Sequence, residues 1–327
     1  MSRTSVRPTR RTPAGNAGVA LALVVALLCV ADAQGVAFRY HWTQDAVVTY
    51  QTTLHTTSTV SGTPGMGDVS FDQTMTQRIR LLAAAVSPDG SAILHQTIDA
   101  VRVEMNTPTG SRKYDSADPK SAEVDPASDA MAKVFGGLIG ATISVAMGPD
   151  GAIQRIEGAQ KALDKITQDL PRDRSTAGIA QSLKGVLSDE AIRASLEQSF
   201  PRLPSKPVQP GDTWTGQVSL GSGGMGRILG AQTFTLKSTS ADGLATIGVA
   251  LVMKQESAPP IGPQGMTVTL GESHGEGELV FDVTNGRLRK ATMQTEMPST
   301  MTTTGPDGRP AILKNLTKTS MTMEIVQ

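Results

Sequence analysis

The chain has 327 residues, equal numbers of basic and acidic side chains (30 Lys and Arg, 30 Asp and Glu) and one cysteine. Removing residues 1–33 would take away four arginines and one aspartate, which leaves 26 basic and 29 acidic residues and a net charge near −3. That balance excludes a general binder of nucleic acid or of anionic membranes, since both need a basic face. Only 3% of the residues are aromatic, which argues against stacking on sugars or bases as the main mode of recognition.

The first 33 residues are typical of a bacterial secretory signal peptide. A start with four arginines is followed by the apolar stretch 19–30 and by Ala31-Asp32-Ala33, the small-residue pattern that signal peptidase cleaves. We therefore expect a mature chain that begins at Gln34 and is exported to the periplasm or the medium. The apolar stretch is shorter than the roughly 20 residues that span a membrane, so we expect no stable membrane span after cleavage.

Two features of this segment leave other routes open. The pair Arg10-Arg11 resembles part of a twin-arginine export motif, although Pro13 stands where an apolar residue is expected, and the general secretory route is the alternative. Cys29 suggests a lipoprotein, but Leu28 precedes it where lipoprotein cleavage needs a small residue. Because Cys29 is the one cysteine, the mature chain is expected to have no disulfide and no cysteine-based metal site.

The N-terminal part of the mature chain has the alternation of β-strands. Apolar residues share one parity over 48–60 and again over 69–81, and Ser87-Pro88-Asp89-Gly90 predicts a turn before a strand over 92–105. Residues 106–127 are polar and contain proline, so they predict a long loop.

A helical insert is predicted in the centre of the chain. Apolar residues recur at helical spacing in three places, and a hairpin over 141–157 interrupts them. We expect Asp129 to cap the first helix and Ser188 to cap the last. The apolar positions are Met131, Val134, Phe135 and Leu138, then Leu163, Ile166, Leu170, Ile179, Leu183 and Leu187, and finally Ile192, Leu196 and Phe200.

A proline-rich seam, residues 201–214, separates this insert from further strands. It has a proline at every third position from 201 to 210, so neither a helix nor a central strand passes through it. Trp214, at its end, is expected to be a buried anchor. After a Gly-rich loop at 221–226, alternation returns, and Asn285-Gly286 predicts a two-residue hairpin turn.

These patterns predict a β-rich α+β protein, with long antiparallel strands in one or two curved sheets and a central helical insert. The predicted units are a signal peptide (1–33), an N-terminal β-unit with the helical insert (34–200), the seam (201–214) and a C-terminal antiparallel β-unit (215–327). Each β-unit has a tryptophan at its start and strands around an Asp-Gly turn. The similarity of the two β-units has two explanations: an internal duplication, or two unrelated antiparallel meanders with the same order of features.

Candidate catalytic and metal-binding residues are few. His274-Gly275-Glu276-Gly277-Glu278 combines potential metal ligands, but a zinc site needs further fixed ligands, and a solvated turn explains the motif as well. Ser222 lies in a Gly-rich run without the lysine of a phosphate loop or the strand–turn–helix setting of a nucleophile elbow. We therefore expect no catalytic residue, no metal and no cofactor.

Methionine and threonine dominate several strands. Methionine either fills a β core that threonine covers, or lines a pliable apolar cavity. On the second interpretation an apolar small molecule or lipid lies between the sheet and the helices. The candidate ligand-binding residues are Met293, Met297, Met321 and Met323.

Two stretches carry a resemblance to known proteins. The segment 207–214 (PVQPGDTW) and the segment 277–292 (GELVFDVTNGRLRKAT) resemble an uncharacterised family of exported bacterial β-rich proteins, a domain of unknown function, over most of the mature chain. The resemblance implies an exported β-rich fold and supplies no catalytic residues. The predicted architecture is also similar to LolA-type periplasmic carriers, in which a curved sheet wraps helices around an apolar groove.

The sequence therefore favours an exported, non-enzymatic cell-envelope protein that binds a ligand or an envelope protein, or that has a structural role. A periplasmic carrier of an apolar ligand or lipid is the first alternative. A hydrolase whose dispersed acidic residues assemble only in the fold is the second.

Overall fold

The computed structural model describes residues 35–62, 67–118, 126–168, 187–222, 226–256, 266–304 and 310–326. The predicted signal peptide and the predicted helical positions Leu170, Ile179 and Leu183 lie outside the described residues. Residues Gln34–Gln327 form one compact unit.

Strands make up most of the described chain, and helices occur only in its centre. The strands are β1 (Val47–Ser61), β2 (Val69–Val86), β3 (Ala92–Thr107), β4 (Gly110–Asp115), β5 (Thr142–Met147), β6 (Ile153–Glu157), β7 (Thr213–Ser222), β8 (Gly226–Thr239), β9 (Leu244–Gln255), β10 (Thr267–Leu270), β11 (Ser273–Asp282), β12 (Arg287–Thr304) and β13 (Pro310–Val326). The described helices are α1 (Pro126–Leu138), α2 (Ala159–Gln168) and α3 (Asp189–Ser199).

All these strands belong to a single antiparallel sheet, which is not closed. Its order is β6-β5-β3-β2-β1-β13-β12-β11-β9-β8-β7, with β4 paired to β3 and β10 paired to β12. The first and last strands of the chain, β1 and β13, pair over thirteen residues in the middle of this order. The predicted β-rich α+β class with long antiparallel strands and a central helical insert is confirmed.

Three local predictions need correction. Residues 106–127 are not one loop, because Gly110–Asp115 forms β4 against the end of β3. Helix α1 begins at Pro126, three residues before the predicted Asp129 cap, since proline is well suited to the first turn of a helix. The predicted loop at 221–226 is shorter, because Gly221 and Ser222 still pair as part of β7.

The two faces of the sheet differ sharply in composition. Successive residues of a strand point to opposite faces, and directly paired residues share a face. We call the face that carries Val48 and Tyr50 the inner face, because the strand residues of the main core share it, including Leu81, Ile247 and Phe281. The opposite, outer face is rich in threonine and charged side chains.

The proline-rich seam packs against the core together with the segment before β1. Val36 and Val208 exchange two backbone hydrogen bonds of 2.7 and 3.0 Å, and the Tyr40 hydroxyl donates to the carbonyl of Pro201 at 3.1 Å. The Tyr40 ring lies 6.2 Å from the ring of Phe200 and 5.5 Å from that of Phe281. The seam is therefore a covering of the core, held by contacts with residues more than 150 positions away.

Trp214 is less buried than the sequence suggests. Its ring stacks on Phe234 at 5.5 Å, and its indole N–H donates to the carbonyl of Arg202 at 3.1 Å, but part of the ring remains in water. It packs against the core as a half-buried residue.

A buried hydroxyl connects β1 to the start of β12. Tyr50 donates to the carbonyl of Leu288 at 2.9 Å, across 238 residues of sequence. Burial raises the pKa of Tyr50 well above its ordinary value, and the nearby Arg287 and Arg289 offset this only in part. The hydroxyl therefore stays protonated and remains a hydrogen-bond donor at neutral pH.

Candidate functional site

The middle of the inner face carries a continuous row of apolar side chains that are only half-buried. Met75 on β2, Leu54 on β1, Met321 on β13 and Met293 on β12 are direct cross-strand partners, each opposite the next. We call these four residues the methionine row. Neighbouring strands lie about 4.8 Å apart, so the row spans roughly 14 Å across the strands.

The four candidate residues from the sequence all lie on this inner face but in different surroundings. Met293 and Met321 face each other in the methionine row. Met323 lies two residues beyond Met321 along β13, toward the core. It is 3% exposed, so it is part of the packed interior. Met297 packs against a small second cluster of Ile228, Leu251 and Met253. The structure thus brings Met293 and Met321 together, with Met323 beside them in the packed core and Met297 in a different cluster.

The four strands that carry the row hold their charges on the outer face. In β1, β2 and β13, and in β12 from Ala291 onward, alternate residues point inward, and the inward ones include no charged or histidine side chain. The outward charged and histidine side chains are His55, Asp72, Arg78, Arg80, Glu296, Lys314, Lys318 and Glu324. The surface around the methionine row is therefore uncharged, and it suits an apolar ligand because no ion has to be desolvated.

The described helices lie mainly to the sides of these strands. Helix α1 packs on β3, β4 and α2, helix α2 also packs on β5, and helix α3 packs on both β6 and β7, the two ends of the strand order. One interpretation of the sequence places an apolar ligand between the sheet and the helices. Instead the candidate surface lies beside the described helices, on the central strands.

Sequence reasoning missed four inner-face residues near the row. Leu54 and Met75 belong to it because β1 pairs with both β2 and β13. Met105 and Arg112 extend the inner face toward β4, where they are direct partners. The residues Thr107-Pro108-Thr109-Gly110 are a turn signal that could have indicated this hairpin within the polar stretch.

The outer face has two shallow polar grooves. One, of about 550 Å³, lies over His55, Glu276, Gln294 and Lys318, and the next, of about 500 Å³, shares Glu276 and Gln294 with it. Their side chains are exposed and pair with near neighbours on the same face, such as Lys318 with Glu296 at 3.2 Å. Water competes for such pairs, so they do not form a preorganised catalytic group.

The sequence-predicted candidates for metal binding and catalysis do not come together as a site among the described residues. His274 is exposed and contacts Glu272 at 3.3 Å, and Glu278 pairs with Lys237 at 3.3 Å. Within the described ranges no group of three or more His, Cys, Asp or Glu side chains is placed to hold a metal ion. The side chain of Ser222 lies outside the described part of the structure. Among the described helices, none is long and apolar enough to cross a membrane.

Comparison with known proteins gives a family but no activity. A family model described as a family of unknown function (DUF6263) matches residues 89–288, more than half of the chain. No curated protein matches the chain in sequence.

Two solved structures are distantly similar. DynF from the dynemicin biosynthesis pathway of Micromonospora chersina is 9% identical, with 89% of each chain covered and a TM-score of 0.19. The COG4313 outer membrane channel from Pseudomonas putida F1 is 8% identical, with 88% of this chain and 97% of that chain covered and a TM-score of 0.24. At such TM-scores neither structure informs on the function of this chain.

Proposed function

We propose that this chain, which belongs to the DUF6263 family of unknown function, is an exported protein that binds an apolar ligand on the methionine row and catalyses no reaction. The observation that carries the proposal is that the inner face of β1, β2, β13 and of β12 from Ala291 is uncharged and that its middle residues, Met75, Leu54, Met321 and Met293, are only half-buried.

The chemistry of the row supports a ligand of variable shape. Methionine has an unbranched, polarisable side chain that adapts to irregular partners. On the side away from the core, the row next to the methionine row consists of uncharged polar residues. In it the Thr56 and Thr319 hydroxyls lie 3.4 Å apart and form a hydrogen bond with each other. An apolar ligand on the methionine row would therefore border on hydroxyl groups that already have partners.

The length of the row supports an acyl chain. Half of the roughly 30 Å hydrocarbon core of a bilayer, about 15 Å, is the length of one extended acyl chain, close to the roughly 14 Å that the row spans. Each buried methylene contributes about 0.8 kcal/mol, and one face of a sheet covers only part of the chain. We therefore expect a dissociation constant on the order of 10–100 μM, as for other single-chain contacts.

The test is a titration of the delipidated protein with phenylnaphthylamine, an uncharged probe that fluoresces in apolar surroundings. We expect saturable binding that Met293→Asp weakens at least about tenfold, because the new carboxylate must be desolvated when the probe binds. The matched control is Gln294→Asp, the next residue of β12, which points to the outer face. Absence of saturable binding would contradict the proposal. Equal probe binding by Met293→Asp and Gln294→Asp would also contradict it, provided that both variants keep the thermal unfolding midpoint of the wild-type protein.

Export is the second part of the proposal, and it is supported by the arginine-rich start, the apolar stretch 19–30 and Ala31-Asp32-Ala33. When the full chain is expressed in a bacterial host, we expect N-terminal sequencing of the exported protein to begin at Gln34. An intact Met1 on the exported protein, or an acylated Cys29, would show that the segment is processed in another way.

A further inference from the structure

Uncharged polar side chains form a second row beside the methionine row. The second row lies two residues, or about 7 Å, further along the same four strands, on the side away from the core. We call it the polar row, and it consists of Gln73 on β2, Thr56 on β1, Thr319 on β13 and Thr295 on β12. All four side chains are half-buried. An apolar strip and a strip of hydrogen-bonding groups therefore run side by side across the inner face.

The polar groups beside the methionine row differ in whether they already have partners. Thr56 and Thr319 form a hydrogen bond with each other in the middle of the polar row. On the core side of Met75, Gln77 donates from its amide to the Met75 thioether at 3.2 Å. Among the described residues, by contrast, none hydrogen-bonds with the amide of Gln73. Gln73 therefore offers an unused donor and an unused acceptor at the β2 end of the methionine row.

The methionine row has the dimensions of a single chain. Beyond Met75, the cross-strand neighbour is Val103 of β3, which is buried, and beyond Met293, across β11, lies Val249 of β9, which is also buried. On the core side the row borders on the buried Met323. The half-buried apolar strip is therefore only one residue wide, with closed ends and with the polar row along its other side.

The described inner face around Gln73 is uncharged. In β1, β2 and β13, and in β12 from Ala291, the inward-facing side chains include no charged group. Arg112 of β4 also faces inward, but it lies two strands beyond Gln73, across Met105, and already has an interaction partner. A carboxylate, phosphate or ammonium group at Gln73 would therefore lose hydration without meeting an opposite charge, whereas a hydroxyl or amide group would gain a partner.

We propose that the ligand is a neutral single-chain amphiphile of the monoacylglycerol type, with its hydroxyl-bearing head group at Gln73 and its acyl chain along the methionine row. This inference rests on the proposed function and names the class of ligand for the same surface. A primary amide donates and accepts hydrogen bonds at once, as a hydroxyl group does. From β2 to β12 the chain crosses three strand spacings, roughly 14 Å, which is about the length of one extended acyl chain.

The experiment compares ligands that have chains of equal length and different head groups: monododecanoylglycerol, dodecanoate and dodecylammonium. Each is titrated by calorimetry into the full mature chain at neutral pH, below the concentration at which it forms micelles. We expect the wild-type protein to bind monododecanoylglycerol about tenfold more tightly than either ion, because a charged head group loses hydration at Gln73 and finds no opposite charge there.

A variant of Gln73 tests where the head group lies. Gln73→Met removes the amide and keeps an unbranched side chain of similar length. We expect it to weaken monododecanoylglycerol binding about fivefold, the effect of one lost hydrogen bond, and to change phenylnaphthylamine binding by less than about twofold, because the methionine row is intact. The matched control is Gln294→Met, the same change on the outer face of β12, which should alter neither. Thr295→Val, at the opposite end of the polar row, should also keep monododecanoylglycerol binding.

The outcomes separate the two proposals. If an ion binds to the wild-type protein as tightly as monododecanoylglycerol, the neutral-amphiphile inference is overturned while the apolar surface stays intact. Unchanged monododecanoylglycerol binding by Gln73→Met, or a loss of binding with Thr295→Val instead, would also overturn it. Failure of phenylnaphthylamine and of all three amphiphiles to bind would contradict the proposed function itself. If Gln73→Met does not fold, Gln73→Ala tests the same point, since it removes the amide without adding bulk.

Discussion

Replacing Phe281 with alanine is expected to cost about 3–5 kcal/mol of unfolding free energy, the range for a fully buried aromatic side chain. Phe281 is 1% exposed and lies on the inner face of β11. Its ring makes edge contacts at 5.5 Å with both Phe38 and Tyr40, which belong to the segment before β1. The substitution therefore opens a cavity where the sheet, the seam and this segment meet. The measurement is equilibrium denaturation in urea.

The matched control is Phe71→Ala on the same inner face. Phe71 is 42% exposed near the start of β2, far from the aromatic core, so its loss should cost at most about 1 kcal/mol. Similar costs for the two substitutions would mean that residues 35–42 and the seam do not cover the inner face as described.

Replacing Trp214 with alanine is expected to cost about 2–3 kcal/mol, less than for a fully buried tryptophan, because part of the ring is in water. The loss combines the stacking on Phe234 with the hydrogen bond to Arg202 and loosens the end of the seam. Denaturation midpoints measure this, with an unchanged slope as evidence that the folded state is otherwise the same.

Trp214→Phe separates the two contributions. It keeps an aromatic ring on Phe234 but removes the indole donor, so we expect it to cost at most about 1 kcal/mol. A midpoint that Trp214→Ala leaves unchanged would show that the seam is only a linker.

Much of the fold could be predicted because local signals and long-range packing agree. Alternation located β1, β2 and β3 to within a few residues, since each has one buried face. Ser188 accepts from the backbone N–H of Ala191 at 3.2 Å, as its position before two acidic residues predicts. Gly286 has the positive φ of 60° that the turn signal predicts, but Asp282 pairs with Arg287, so the hairpin loop has four residues (283–286) and the predicted two-residue turn is wrong.

The strand β4 was missed for a physical reason. Only two of its side chains, Arg112 and Tyr114, share the inner face, and one of these is charged, so its alternation is too short and too mixed to stand out from a polar loop. Its pairing with β3 is stabilised by Tyr114, which is buried under helix α1. That contact joins two elements whose proximity cannot be deduced from composition.

The candidate site also has residues that could be predicted from the sequence and residues that could not. Met293 and Met321 could be named from parity, because both lie on long alternating strands that pair in register. Leu54 and Met75 could not be joined to them, because nothing in the sequence states that the first strand pairs with the last. Arg112 could not be recognised as an inward-facing cation without the register of β4.

The measurement that tests the central claim most directly is a methyl-resolved NMR titration of the mature chain, labelled with carbon-13 at the methionine methyl groups. On addition of phenylnaphthylamine, we expect saturable shifts at Met75, Met293 and Met321, the methionines of the methionine row. We expect unchanged resonances for Met147 and Met253, which are buried in packed clusters away from the row. Shifts confined to other methionines, or no saturable shift at all, would contradict a ligand on this face of the sheet.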